Sequence, residues 1–212
     1  MPPIEVTFVR SAASARDFPR DGLPELAMVG RSNVGKSSLI NALVRRTLAR
    51  TSAAPGKTRL VNLYRVSGAL PAPFYLVDLP GYGYARGGSR SASAFEELTT
   101  TYFDLRAPGA QEATRPAAAA ALLLVDGRHP GLDNDRAAAE WLAARGGPAA
   151  VVATKIDKLS RAERTRAQKA LDDAFNGPVL AVSATSGEGL KELWTLIARL
   201  LSNHPPRLTP PR

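Results

Sequence analysis

Apolar residues fall in short runs along this chain, separated by glycine, proline and charge, and their spacing alternates between period two and a helical period. Ile4 to Arg10 alternates in part and reads as a first strand at a sheet edge. Pro19, Gly22 and Pro24 mark a loop before a central strand from about Glu25 to Val29. Leu39 to Val44 has helical spacing, whereas Arg45 to Thr58 is basic, poor in apolar residues and expected to be a mobile loop. Arg59 to Val66 alternates as a strand, Ser67 to Pro73 is a turn, and Phe74 to Val77 is a buried strand. These two strands are expected to form an antiparallel edge on an otherwise parallel sheet.

Pro80 to Gly88 is rich in glycine and reads as a second mobile loop, followed by a helix from Ser91 to Leu105 with Phe95, Leu98, Tyr102 and Leu105 on one face. Ala118 to Val125, Ala149 to Ala153 and Val179 to Val182 read as buried strands. The helices between and after them are Asp133 to Ala144 with Asp133 as N-cap, Ser160 to Phe175 opening on Ser160 and Glu163 at capping-box spacing, and Leu190 to Leu201. Leu193, Trp194, Ile197 and Leu201 make that last helix's core face, and Trp141 and Tyr102 read as core. Strands alternating with helices imply a doubly wound sheet with its site at the carboxyl ends of the strands.

At 212 residues the chain is sized for one domain, expected over 1–203, with a proline-rich tail over 204–212 expected to be disordered. It has no cysteine, which excludes disulfides, thiolate metal sites and a thiol nucleophile. Glu5, Arg10, Arg16 and Asp17 interrupt any N-terminal signal core, and the nine-residue apolar run Ala117 to Val125 is too short to cross a bilayer. A cytoplasmic protein without a membrane partner is expected, and a monomer, because no long unpaired hydrophobic helix appears.

The net charge of +9 changes the picture through its location. Between Leu26 and Phe95 lie ten basic residues and one acid, Asp78, which leaves the remainder of the chain neutral. Arg45, Arg46, Arg50, Lys57, Arg59, Arg86 and Arg90 point to a polyanionic partner such as RNA, or else to a solvated basic face.

The candidate chemistry sits in the same segment. Gly30, Arg31, Ser32, Asn33, Val34, Gly35, Lys36, Ser37 and Ser38 follow the strand and open the helix with the spacing G-x-x-x-x-G-K-S of a phosphate-binding loop. Gly30 is read as permitting the turn out of the strand and Gly35 as letting the backbone approach an oxygen, so that successive N–H groups at the helix's positive end face a polyphosphate. Lys36 would reach the β and γ phosphates, and the Ser37 hydroxyl would hold Mg²⁺. Asp78, Leu79, Pro80 and Gly81 follow the strand Phe74 to Val77; a carboxylate there can hold Mg²⁺ through water and the Gly81 N–H can sense the γ phosphate.

Thr154, Lys155, Ile156 and Asp157 follow the strand ending at Ala153. The Asp157 carboxylate can accept both N–H groups of a guanine edge, which adenine does not offer, while the Lys155 stem covers the base. Left unpaired beside adenine it would cost on the order of a few kcal/mol, which argues against an ATPase. Val182, Ser183 and Ala184 supply the last element, with the Ala184 N–H aimed at guanine O6.

The order GRSNVGKS, PGKT, DLPG, TKID and SA is that of translation-factor-type GTPases. PGKTRLVNLY, VDLPGYGYA, VDGRHP and TKIDKL further resemble the bacterial EngB family, also called YsxC or YihA, of ribosome-assembly GTPases in the TrmE-Era-EngA-EngB-Septin-like class. The resemblance spans Ile4 to Leu201 and implies a three-layer α/β fold of the Ras-like P-loop kind, with a mostly parallel doubly wound sheet and one antiparallel strand. It implies that Pro55, Gly56, Lys57 and Thr58 belong to switch I, with the Thr58 hydroxyl joining Mg²⁺, and that Pro80 to Arg90 is switch II. It implies GTP and GDP as ligands and the maturing large ribosomal subunit, its RNA and proteins, as partner.

Lys36, Thr58 and Gly81 are then the residues expected to assist γ-phosphate transfer to water, and Ser37, Thr58 and Asp78 the metal ligands. An RNA-docking module that keeps the nucleotide as a structural cofactor is the alternative. Tyr82 stands where many GTPases place a water-orienting Gln, so slow intrinsic turnover is expected. Asn33 matches a position that binds K⁺ in Era- and TrmE-like relatives, or else is a loop Asn chosen for backbone conformation. Thr154, in place of the usual Asn, is expected to lose a bridge to the phosphate loop. His129, a lone His after a strand, is assigned no chemistry.

Overall fold

The computed structural model describes residues 4–45, 60–82, 89–104, 119–202 and Leu208, with the backbone alone over 89–96. Seven strands, β1 (Glu5–Ala12), β2 (Glu25–Gly30), β3 (Val61–Ser67), β4 (Phe74–Asp78), β5 (Ala120–Asp126), β6 (Ala149–Thr154) and β7 (Leu180–Ala181), form one sheet in the order β1-β3-β4-β2-β5-β6-β7. Among the described residues the five α-helices are α1 (Lys36–Val44), α2 (Ser89–Asp104), α3 (Asp133–Ala144), α4 (Arg161–Ala174) and α5 (Leu190–Leu200).

The central strands read as unbroken apolar runs because helices cover both of their faces, so successive residues enter opposite cores. Leu26 and Met28 of β2 pack with Leu39, Ile40 and Leu43 of α1 and Leu193 and Ile197 of α5. Ala27 and Val29, one residue out of step, pack with Tyr102 and Phe103 of α2, Leu142 of α3 and Leu171 of α4. The sheet is therefore the middle of three layers. Glu25, buried at the start of β2, accepts a hydrogen bond from Tyr102 Oη at 2.8 Å.

One strand, β3, runs against the rest. It pairs antiparallel with β4 on one side (Asn62 opposite Asp78) and with β1 on the other (Glu5 opposite Ser67). The expected antiparallel edge needs this correction: β4 lies inside, between β3 and β2, and the edge is β1. Only Val6 and Ala12 of β1 are buried, and its register shifts between Phe8 and Arg10, the irregularity typical of an edge strand.

Two local expectations also change. Asp133 is the first residue inside α3, whose N-cap is Leu132 with no side-chain bond, whereas Ser160 and Glu163 do form the reciprocal capping box on α4. Leu208 packs against the core on the α2/α3/α4 face, although it falls in the segment expected to be disordered; the rest of that tail lies outside the described residues. Among the described residues no helix is long and apolar enough to cross a membrane.

Candidate functional site

After β4 the chain crosses to β5 on the other side of β2, and the loops that leave β2, β4, β5, β6 and β7 all open at the carboxyl end of the sheet. The loop Arg31 to Gly35 joins β2 to α1. Gly35 has φ 106°, a conformation a side chain would strain, and it places α1's first N–H groups at the loop. Gly30 is required for a different reason from the turn expected of it: a Cβ there would lie 2.9 Å from the Leu124 carbonyl and from Val34 Cγ1. Asn33, at φ 64°, occupies the left-handed region that Asn tolerates better than most residues.

Lys36 Nζ donates to Asp78 Oδ1 at 2.6 Å, and both side chains are almost fully buried. The phosphate-loop cation and the end-of-strand carboxylate thus meet directly, and Ser37 stands one residue further along the same helix turn. A buried carboxylate and a hydroxyl are hard oxygen donors of the kind Mg²⁺ takes. No cluster of three metal-ligating side chains exists among the described residues, so such an ion would complete its shell with phosphate and water oxygens. Pro55, Gly56, Lys57 and Thr58 lie outside the described residues, as do Arg46, Arg50, Arg59 and Arg86 of the basic segment.

The base motif is locked to the phosphate loop. The Thr154 hydroxyl lies 2.6 Å from the Val34 carbonyl and 3.1 Å from that of Val125. This overturns the expected loss of a bridge, because a hydroxyl on β6 reaches the loop that the longer amide reaches in other GTPases. Lys155, at φ 62°, lays its ammonium 2.6 Å from the Asn33 carbonyl and 2.9 Å from Asp126 Oδ2. Ile156 is buried beneath the motif. Asp157 Oδ1 accepts from Ser183 Oγ at 2.8 Å, and that bond, more than any other influence, holds its carboxyl below the usual range. Ser183 is itself fixed, since its oxygen accepts from the N–H groups of Thr185 and Ser186. Val182 N–H donates to the Ala153 carbonyl, which sets Ala184 beside the motif's strand.

Sequence reasoning missed two parts of this site. Asp126, the last residue of β5 and 3% exposed, accepts from Arg128 Nε and backbone N on Oδ1 and from Arg128 and Lys155 on Oδ2. Burial would raise its pKa, but the hydrogen bonds from Arg128 and Lys155 outweigh it and hold the carboxyl well below the ordinary range. The signal was present in the VDGRHP stretch, where an Asp closes a fully apolar strand. The second is Asp135 on α3, wholly buried, whose Oδ1 accepts from Tyr82 Oη at 2.9 Å and lies 3.4 Å from Arg31 Nε.

A parallel mostly buried sheet, a phosphate loop at the end of its central strand, and a carboxylate-based base motif tied to that loop define a P-loop GTPase. The family model described as 50S ribosome-binding GTPase matches residues 25–155. The chain is 43% identical to the probable GTP-binding protein EngB of Pelotomaculum thermopropionicum over 91% of this chain and 93% of that protein. It is 42% identical to the EngB of Solibacter usitatus over 95% and 98%. It belongs to the EngB family. A crystal structure of a probable GTP-binding protein engB has the same fold, with TM-score 0.64, 21% identity and coverage of 84% of this chain and 98% of that one.

Proposed function

We propose that this protein is a guanine-nucleotide switch that hydrolyses GTP slowly and acts, in its GTP-bound form, on the maturing large ribosomal subunit. The observation that carries the nucleotide half of this reading is that the segment Thr154 to Asp157 is fastened at both ends, Asp157 to Ser183 and the Lys155 and Thr154 side chains to the phosphate loop, so that base and phosphate recognition would act as one unit. Membership of a family whose model is described as ribosome-binding supports the partner. The domain, by this reading, runs over 1–203.

Lys36 would leave Asp78 for the β and γ phosphates, the loop amides would hold the β phosphate, and Gly81 N–H would meet the γ phosphate. Ser37, Asp78 and Thr58 would hold Mg²⁺, which when bound neutralises phosphate charge as the bond to the leaving oxygen breaks. Asp157 and the Ala184 N–H would read guanine. Tyr82 stands where many GTPases place a water-orienting Gln, which is why turnover would be slow. Asn33 is the residue through which K⁺ would act.

GTP turnover with and without large subunits, in potassium and in sodium, tests this. The reading expects a low basal rate raised by subunits. Equal rates in the two salts would remove potassium, and a high basal rate indifferent to subunits would overturn the switch.

A further inference from the structure

The segment after the D-L-P-G motif is fastened to the phosphate loop twice. Its backbone extends the β2/β4 pairing beyond the strands: Tyr82 N–H donates to the Gly30 carbonyl at 3.3 Å and Ser32 N–H donates to the Tyr82 carbonyl at 3.1 Å. Gly81 is pressed so closely on Ser32 that a Cβ would lie 2.7 Å from the Ser32 nitrogen. The Tyr82 side chain reaches across to α3, where its hydroxyl donates to the buried Asp135. Arg31 of the phosphate loop flanks the same Asp135 oxygen, while Asp135 Oδ2 and Arg31 Nε are buried without a hydrogen-bond partner among the described residues.

An incompletely satisfied buried carboxylate is costly to a fold. One that joins three separate segments has a positional use that could offset the cost. We propose that Asp135 is a positioning residue of switch II, which through Tyr82 clips Gly81 and Tyr82 onto the phosphate loop and thereby favours GDP over GTP. With the clip closed, the Ser32 N–H is committed to the Tyr82 carbonyl and Gly81 is packed against Ser32, so engagement of Gly81 by a γ phosphate requires the clip to open. A nucleoside diphosphate makes no such demand. The residue that replaces the common Gln is thus the handle by which α3 holds the switch.

This inference rests on the guanine-nucleotide reading, and two readouts separate their failures. In the nucleotide-free protein, amide hydrogen exchange at Ser32 and Tyr82 should quicken about tenfold in Tyr82→Phe and in Asp135→Ala, the loss expected for one buried hydrogen bond. Asp135→Asn keeps an acceptor at Oδ1 and should stay near wild type. In titrations, Tyr82→Phe and Asp135→Ala should bind a non-hydrolysable GTP analogue several-fold tighter relative to GDP. Unchanged exchange in folded Tyr82→Phe, or equal changes for both nucleotides, would overturn the clip. Quickened exchange in a protein that binds neither nucleotide would uphold the clip as a fastening and overturn the guanine reading instead.

Discussion

Asp157 and Ser183 show what single residues contribute. A carboxylate that is to read two N–H groups, the role proposed for Asp157, must stay ionised and must not rotate, and the Ser183 hydroxyl favours both. Asp157→Asn should move preference from guanine towards xanthine nucleotides in competition titrations, and unchanged preference would remove the base assignment. Ser183→Ala should weaken GDP by roughly tenfold, the worth of one hydrogen bond to a charged group, and should also lower the melting temperature, because the buried hydroxyl accepts from the Thr185 and Ser186 N–H groups. Asp126 works through Lys155, so its effect is on stability as well as on binding. Its carboxyl is depressed in the fold, so its stabilisation is complete above the ordinary carboxylate range, about pH 4, and fades as pH falls further towards the folded value. The melting-temperature gap between wild type and Asp126→Asn should therefore hold steady from neutral pH to about 5 and close in stronger acid. None of these couplings has a sequence period. Ser183 lies 26 residues from Asp157 and Tyr82 lies 53 from Asp135, and only the folded sheet brings them together. The motifs themselves were legible because each is contiguous and sits where an apolar run ends.

At the scale of elements, legibility followed burial. β5 and β6 announce themselves as apolar runs because both faces are covered, while β1 alternates weakly and its far end, Ser11 and Ala12, escaped notice beyond the bulge. The position of β4 inside the sheet was not legible, since a hairpin spacing says that β3 and β4 pair but not what pairs with β3's other side. Helix starts were legible where chemistry is local. The Ser160–Glu163 box closes within four residues, with Glu163 Oε2 2.7 Å from the Ser160 N–H. Ser160→Ala should cost about 1 kcal/mol and lower the thermal midpoint without touching nucleotide affinity. Leu132 as N-cap of α3 could not have been anticipated, because Asp133 carries the usual capping chemistry one residue too late; its neighbour Asp135 is turned inward to Tyr82 instead.

At the scale of the molecule, the excess charge lies in the stretch of sequence that also carries the phosphate loop. The chain carries +9, and the segment from Leu26 to Phe95 supplies all of that excess. Of its basic residues, Arg31 and Lys36 are engaged inside the site, whereas Arg45 at the end of α1 and Arg65 on β3 are exposed. On the proposed reading, a basic segment in the same stretch of chain would give a means of coupling nucleotide state to binding of a polyanion. The most direct test is sedimentation with ribosomal subunits, in GDP or in a non-hydrolysable GTP analogue, across a salt series. The account predicts that the protein follows the large subunit with the analogue only, and that binding weakens steadily as salt rises. Binding to neither subunit in either nucleotide state, or equal binding in both states at every salt, would contradict it.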